Sequence, residues 1–177
     1  YLESRAIDPL LLEGSRFTDR IRIDRHKNVI FPHWNLDGIC GYEVKNRDFT
    51  GFAPGAEKGL WGSQLTEHDE RLVICETAID ALSYATLHDT GNTRFISTAG
   101  TLNPIQPELL ARAMQKLPPD GKIILAMDND EGGDCLLEIT KGLFRDLALS
   151  GTSLLIDRPQ GRGEDWNDVL MATKRPE

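Results

Sequence analysis

The sequence predicts an α/β protein: a parallel sheet flanked by helices, preceded by a small, mainly antiparallel β subdomain with a short N-terminal helix. From residue 71 onward, continuous apolar runs of strand length alternate with helical segments, which indicates a parallel sheet covered on both faces. Before residue 63 the runs are short, alternate in polarity and are joined by turn-forming residues, as antiparallel strands are. We therefore predict two domains, residues 1–63 and residues 64–177.

The N-terminal region begins with a short predicted helix in the segment AIDPLLLEG. Asp8 can cap this helix, Pro9 suits its first turn and Gly14 can end it. Antiparallel strands are then predicted in RIRIDR, NVIFPHWN and GICGYEVKN. The glycine-rich segment FAPGAEKGLWG is predicted to be a loop that leads into a final strand.

The second region is predicted to contain four strands and four helices. The strands are RLVIC, TRFIS, KIILAM and TSLLID. The helices are TAIDALSYATLHD, NPIQPELLARAMQKL, EGGDCLLEITKGLFRDLALSG with Gly151 at its end, and EDWNDVLMAT. In open sheets of this kind, ligands bind at the carboxyl ends of the parallel strands, so functional side chains are expected there.

The charge of the chain is unevenly distributed. A formal net charge of −8 argues at first sight against nucleic-acid binding, because phosphate contacts need Lys and Arg. Residues 1–63 hold nine basic and nine acidic residues, whereas residues 64–177 hold eleven basic and nineteen acidic residues. The excess acid lies with the carboxylate clusters, so bound metal would make the working charge less negative.

Three features of the sequence bear on the cellular compartment and on the extent of the protein. The three cysteines are odd in number and far apart, which fits reduced core thiols in a cytoplasmic protein better than a disulfide framework. No apolar run reaches the length of a membrane span, so no membrane association is expected. The chain starts without an initiator methionine or a signal-peptide core, so we expect it to be a piece of a longer protein.

Carboxylates follow the predicted strands. Asp128 and Asp130 come directly after KIILAM, and their period-2 spacing points both to one side. Glu76 directly follows RLVIC, and Asp80 lies one helical turn further on. If the two strands are neighbours, these oxygens converge at one rim, where they suit Mg²⁺ better than zinc.

The segment GEDWNDVL adds Glu164, Asp165 and Asp168 after the fourth strand, and these acids could hold a second metal or its waters.

Simpler alternatives exist for the same residues. DNDEGGD is also typical of a solvated turn that caps the next helix, and the helix dipole alone favours an acid at Asp80. A strand followed by Asp-x-Asp is also found in phosphatases that use the first aspartate, here Asp128, as a covalent nucleophile. In that case Gly132 would stand where a hydroxyl or branched residue is expected, and Glu76 would be unexplained.

The order of VICETAIDAL, TAGT, LAMDNDEGG and DWND closely resembles the Toprim domain shared by topoisomerases, bacterial primases and related nucleases. The resemblance covers about residues 70–173. The DWND segment and the β region that precedes the domain look most like the Toprim proteins of plasmids and other mobile elements, which are described as primase-like or fused to relaxases.

The resemblance implies roles for six acids. Glu76 matches the glutamate that acts as general base or acid in phosphoryl transfer, or shares in metal binding. Asp128 and Asp130 match the metal-binding pair, and Asp80 and Asp165 match acids that help to hold metal in primase-type members. Asp168 is a weaker candidate for the same role. The implied cofactor is Mg²⁺ or Mn²⁺.

Several segments are candidates for contact with nucleic acid. The TAGT turn is where backbone could approach a phosphate, and Lys58, Arg158 and Arg162 could contact the nucleic-acid backbone. The two arginines lie in an exposed glycine-flanked loop, where arginines also occur for solubility alone. Trp166 is interpreted as a packing residue. A basic set could track a strand, with Trp34 or Phe31 stacking on bases; it consists of Arg16, Arg20, Arg22, Arg25 and Lys27.

The first functional hypothesis is Mg²⁺-dependent phosphoryl transfer on nucleic acid, of the primer-synthesis type. Its partners would be single-stranded DNA, nucleotides, and other domains of a longer chain or replication and mobilisation proteins. Strand cleavage by a nuclease or nicking enzyme is the rival reaction. A non-catalytic Toprim module that binds nucleic acid is the alternative outside enzymology, and the acids alone do not separate the three.

Overall fold

The computed structural model describes residues 1–88 and 90–174, and these form two β-sheets with helices packed around the second. Neighbouring strands of the first sheet are antiparallel, in the order β1 (Arg22–Ile23), β2 (Val29–Trp34), β3 (Ile39–Lys45) and β4 (Thr50–Phe52). The second sheet has the order β5 (Trp61–Gly62), β7 (Thr93–Ser97), β6 (Arg71–Cys75), β8 (Lys122–Ala126) and β9 (Ser153–Ile156). Its last four strands are parallel, and β5 is antiparallel to β7.

The described helices are α1 (Pro9–Glu13), α2 (Ala78–Leu87), α3 (Gln106–Gln115), α4 (Glu131–Leu147) and α5 (Trp166–Thr173). Single 3-10 turns at Glu3–Arg5 and Ser15–Phe17 flank α1. Side chains cap three of the later helices, because Thr77, Asp130 and Asp165 each accept a hydrogen bond from a backbone amide of the first turn. These caps place the starts of α2 and α4 at the carboxyl ends of the strands before them.

Helices cover both faces of the second sheet, as the continuous apolar strands predict. In β6, Val73 and Cys75 pack with α2 and α5 on one face, while Leu72 and Ile74 pack with α3 and α4 on the other. Alternate residues of a strand point to opposite faces, so a strand that is apolar throughout needs both layers.

The N-terminal region shares the first of these cores. Trp61 is fully buried, and its ring lies 6.1 Å from Phe17 and 5.8 Å from Phe31, measured between centroids. Phe17 also packs against Phe95 of β7, at 5.9 Å. A bridge between Trp34 and Leu60, with two hydrogen bonds of 2.9 Å, links the two sheets. The sheets are therefore joined by aromatic packing and by backbone hydrogen bonds.

The predicted fold class is confirmed, with differences in detail. Strand β4 was not predicted, because three residues with a central glycine carry no alternation that marks a strand. Helix α4 ends at Leu147 rather than near Gly151, since Ala148 takes the left-handed conformation that closes it. Helix α3 begins only at Gln106, because the Asn103 side chain accepts hydrogen bonds from the backbone amides that follow.

Two sequence predictions include residues that the structure does not describe. The second predicted helix included Asp89, and the predicted second domain included residues 175–177; these lie outside the described residues. The boundary at residue 63 stays a prediction, although β5 precedes it and pairs with the second sheet.

In the part of the chain that the structure describes, no helix is both long and apolar enough to cross a bilayer. Cys40, Cys75 and Cys135 are free thiols. The prediction of core thiols is correct for Cys75, whereas Cys40 is partly buried and Cys135 is exposed.

Candidate functional site

The predicted acids lie at one end of the second sheet. Strands β6 and β8 are direct neighbours, with Cys75 opposite Ala126 in the parallel register. Glu76 follows β6 by one residue and Asp128 follows β8 by two, so both emerge at the same rim. Asp80 in the first turn of α2 and Asp165 at the start of α5 contribute further negative charge to this rim, since both act on the pKa of Asp128.

Gly132 leaves a small gap between two of the carboxylates. A Cβ atom at this position would lie 3.4 Å from Asp130 Oδ1 and 3.6 Å from Glu76 Oε1. On another side of Glu76, Gly100 has a φ of +79°, and a Cβ there would lie 3.9 Å from the same Oε1 atom. Each glycine therefore leaves a space about the size of one methyl group beside the Glu76 carboxylate, and the space at Gly132 also borders Asp130.

The inner part of the site is crowded with negative charge. Asp80 is only 3% exposed and accepts a 2.5 Å hydrogen bond from Thr77 Oγ1. Burial and the charge of Asp165 raise the pKa of Asp80 to about 7, although the Thr77 hydroxyl and Lys45 act in the opposite direction. Burial is also the largest cause that raises the pKa of Asp128, and the charges of Asp80 and Glu76 raise it further. Without a cation, these carboxyls cannot all ionise at little cost.

Two lysines lie beside the acids. Lys58 Nζ donates hydrogen bonds to the backbone carbonyls of Ala99, at 3.1 Å, and Thr101, which holds the ammonium on the TAGT turn near Glu76. Burial lowers the pKa of Lys58, while Glu43 and Glu76 oppose that change. The structure thus places the predicted nucleic-acid contact Lys58 at the rim of the acid cluster.

Lys45 is a member of this site that the sequence analysis did not identify. It is buried in β3, lies 3.5 Å from Glu43 Oε2, and lowers the pKa of both Glu76 and Asp80. A signal was present, because strand alternation puts Glu43 and Lys45 on the same, inward side of β3. Charged residues on the buried face of a strand indicate a polar site behind it.

Three of the predicted acids also act as helix caps. Asp130 Oδ1 accepts a 2.8 Å hydrogen bond from the Gly133 amide at the start of α4. Asp165 and Asp168 form a reciprocal capping box at the start of α5, with distances of 2.6 and 3.4 Å. The interpretation of DNDEGGD as a turn that caps the next helix is therefore correct, and the same segment also contributes Asp128 and Asp130 to the acid cluster.

Two carboxylate oxygens of the site have surroundings that a divalent cation would complete. Across residues 1–88 and 90–174, no three His, Cys, Asp or Glu side chains stand ready as the ligands of a metal ion. However, Glu76 Oε2 and Asp128 Oδ1 are buried and have no hydrogen-bond partner among the described residues. Buried carboxylate oxygens normally have partners, and oxygens of this kind are the ligands that Mg²⁺ prefers. Together with the gap at Gly132, these residues are compatible with a divalent cation.

The two arginines of the DRPQGRG loop lie beside the same strand end. Arg158 Nε donates to the Asp128 carbonyl at 3.1 Å, and its Nη1 donates to Asp134 at 2.7 Å. Arg162 Nη1 is 2.9 Å from the other oxygen of Asp134 and is more exposed than Arg158. Arg158 thereby fixes the backbone of the aspartate loop. A contact from either arginine to nucleic acid stays a prediction, with Arg162 the more accessible of the two.

The aromatic predictions had different outcomes. Trp166 is 5% exposed and packs edge-on against Tyr84, with 4.7 Å between ring centroids, in agreement with a packing role. The hypothesis that Phe31 stacks on bases is wrong, because Phe31 is completely buried against Trp61. The face of Trp34 is occupied by the guanidinium of Arg20, 4.3 Å from the ring centroid.

Comparison with known families identifies the class of protein. The chain belongs to the Toprim-like family, which matches residues 73–170. Residues 1–68 match a second family, described as a protein of unknown function (DUF3991). A search of curated protein sequences gave no match. The resemblance to the Toprim domain is thus confirmed, while the plasmid and relaxase context stays a prediction.

Several solved structures with similar folds contain primase domains. One match is a chain in a bacteriophage T7 structure, in which the lagging-strand DNA polymerase interacts with primase domains of two gp4 subunits bound to an RNA/DNA hybrid and dTTP. It gives a TM-score of 0.64 at 17% identity, and the match covers 97% of this chain and 84% of that one. The RNA polymerase domain of Mycobacterium tuberculosis primase DnaG gives 0.57 at 16% identity, covering 97% and 70%. The primase fragment of the T7 primase-helicase gives 0.57 at 14% identity, covering 97% and 68%. Because almost the whole chain is covered, the shared fold includes both sheets.

Proposed function

We propose that this chain is a primase-like module that transfers nucleotidyl groups on nucleic acid with the help of a divalent cation, joining nucleotides on a single-stranded DNA template. One observation carries the proposal: the crowded carboxylates at the rim of the sheet include two buried oxygens, Glu76 Oε2 and Asp128 Oδ1, that have no partner in the part of the chain described. Membership of the Toprim-like family and the primase fold support it.

Asp128, Asp130 and Glu76 would hold the cation, and Asp80 and Asp165 would adjust the charge behind it or help to hold a second ion. When bound, Mg²⁺ or Mn²⁺ would neutralise phosphate oxygens and favour ionisation of the attacking hydroxyl. Burial and mutual repulsion oppose the ionisation of these carboxyls, and a bound cation would remove that penalty.

Glu76 is the residue that we propose for proton transfer. Burial and the charge of Asp130 raise its pKa, whereas Lys45 and Lys58 lower it. A carboxylate of raised pKa can accept the proton of an attacking hydroxyl more readily than an ordinary glutamate. Lys58 would contact the incoming phosphate, since its ammonium is fixed on the TAGT turn next to Glu76.

Calorimetric titration of Mn²⁺ and Mg²⁺ into the wild type and the Asp128→Ala/Asp130→Ala variant tests the metal site. A matched control is Glu138→Gln/Asp146→Asn, which also removes two acids but takes them from the exposed face of α4. We expect cation binding to be lost in the first variant and kept in the control.

The same samples are then assayed for nucleotide incorporation on single-stranded DNA and for nicking of supercoiled DNA. Incorporation that depends on Asp128 and Asp130 supports primer synthesis, whereas nicking without incorporation replaces it with a nuclease. If the wild type binds no cation even with nucleic acid present, catalysis is ruled out and a nucleic-acid-binding module remains. The mobile-element context, with replication or mobilisation proteins as partners, rests on the sequence resemblance and stays part of this proposal.

A further inference from the structure

A second polar pocket lies away from the acid cluster, between the edge strand β5 and helix α3. Its volume is about 180 Å³. Basic side chains line it in a protein whose net charge is −8: Arg20, Arg94, Arg112 and Lys116. Apolar side chains complete its walls, among them Leu60, Ile96 and Leu109.

Arg94 is the unusual member of this pocket. Its Nε atom is buried and has no hydrogen-bond partner, and it forms no salt bridge with any residue that the structure describes. Burial lowers the pKa of the guanidinium, and the neighbouring Arg20 and Arg16 lower it further. Arg94 as a whole is partly buried, but a buried guanidinium nitrogen normally has a hydrogen-bond partner.

Two acids near the pocket are already paired, and one of them, Glu108, lies 2.8 Å from Arg112 Nη2 at the mouth. Asp69 is the acid that interacts electrostatically with Arg94, but its carboxylate is already 2.6 Å from Arg16 Nη1. Arg20 donates one hydrogen bond, of 2.6 Å, to Gln64, yet its Nε atom is also buried and has no partner among residues 1–88 and 90–174. Its guanidinium is held over the Trp34 ring, which fixes its position. The arrangement is that of a preformed receptor for an anion.

The position of the pocket suggests which anion it receives. Arg94 precedes Ser97, the end of β7, by three residues, which is about 10 Å along a strand. The TAGT turn, where Lys58 lies beside Glu76, follows directly. Leu60 of the pocket is only two residues from Lys58. One extended strand of nucleic acid can therefore reach from the acid cluster to this pocket.

We propose that the pocket binds a backbone phosphate of single-stranded nucleic acid, with Arg94 as the inner ligand and Arg112 and Lys116 at the mouth. This inference rests on the proposed function for the identity of the ligand. The pocket anchors the strand at a distance from the acids, so that its binding needs no divalent cation.

The first test is the variant Arg94→Met, which keeps the bulk of the side chain and removes its charge. Binding of a fluorescently labelled single-stranded oligonucleotide is measured by anisotropy in EDTA at several salt concentrations. We expect about tenfold weaker binding, because one charge-assisted contact is lost. The slope of log affinity against log salt should fall in magnitude by about 0.7.

Stability distinguishes this role from a structural one. Removing a partly buried charge that has no ion-pair partner among the described residues should leave the melting temperature of the free protein unchanged or higher, whereas loss of a structural arginine would lower it. A lower melting temperature without weaker binding overturns the proposal.

A second variant, Arg112→Gln/Lys116→Gln, changes only exposed residues at the mouth and should weaken binding without affecting folding. Its control, Arg47→Gln/Lys122→Gln, removes two exposed charges outside the pocket and should bind nearly as the wild type does. Equal affinities in all of these proteins would overturn the proposal.

Two further measurements identify the source of the phosphate and separate this proposal from the proposed function. Inorganic phosphate or a mononucleotide that competes as well as the oligonucleotide, at equal phosphate concentration, would mean a small-molecule site and overturn strand anchoring. In the Asp128→Ala/Asp130→Ala background, adding Arg94→Met should still weaken strand binding in EDTA about tenfold. Strand binding that depends on Arg94, in a protein without primer synthesis, would support the pocket and overturn only the proposed reaction.

Discussion

Gly133 offers a sharp test of how the aspartate loop is packed against helix α4. A Cβ atom at this position would overlap the carbonyl oxygen of Asp128 and lie 2.9 Å from its carbonyl carbon. Carbon atoms in contact are normally about 3.5–4.0 Å apart, and backbone atoms cannot rotate out of the way. The change Gly133→Ala should therefore push the start of α4 away from the loop.

The expected cost follows from three terms. Overpacking of a close contact costs up to about 3 kcal/mol. The displacement also weakens the hydrogen bond from the Gly133 amide to Asp130, which as a helix cap contributes about 1 kcal/mol. Alanine returns about 1 kcal/mol through its higher helix propensity. We expect a net loss of about 2–3 kcal/mol in the free energy of unfolding.

Gly142 supplies the control within the same helix. A Cβ atom there would meet only the end of the Arg145 side chain, at 3.9 Å, so Gly142→Ala should stabilise the protein by up to about 1 kcal/mol. Both variants are unfolded in urea and followed by circular dichroism, and the free energies are taken from the midpoints and slopes. If Gly133→Ala is as stable as the wild type, the close packing of the loop on α4 is wrong.

Three other changes probe the site and the core. Gly132→Ala places a methyl group between Asp130 and Glu76 at ordinary contact distances, so the fold should persist while calorimetry shows Mn²⁺ affinity reduced at least ~10-fold; unchanged affinity would place the cation elsewhere. In EDTA the wild type should lose on the order of 1 kcal/mol for each pH unit between pH 5 and 8. The pKa of Asp128 is raised in the folded state, to about 9, above its unfolded value, so the folded protein holds its proton over that interval and stability falls as pH rises. Thermal melts of Asp128→Asn should show a smaller loss, and an equal loss would assign the effect to other groups. Trp61→Ala should cost about 3–5 kcal/mol in urea unfolding because the ring is fully buried, and a loss under 1 kcal/mol would contradict the packing described for it.

The sequence was sufficient to locate those parts of the site that follow directly from strand ends. Glu76 and Asp128 each come immediately after an apolar run, so their placement needed only the rule that parallel strands end at one rim. Lys45 could not be placed in this way, because its distance from Glu76 depends on how the two sheets pack. The partial burial of Arg94 likewise depends on β5 and α3. These elements lie beside Arg94 only once the chain has folded. Non-local packing, rather than local pattern, determines these two positions.

The aromatic contact among Phe17, Trp61 and Phe95 has a consequence for inheritance. The two matched families divide the sequence between residues 68 and 73, yet Phe17 and Trp61 come from one segment and Phe95 from the other. A recombination event that joined either segment to a new neighbour would leave large aromatic rings facing water, at a cost of several kcal/mol. Selection should therefore keep the two segments together in genomes, and a chain that carries one without the other should show polar replacements at the positions of Phe17, Trp61 and Phe95.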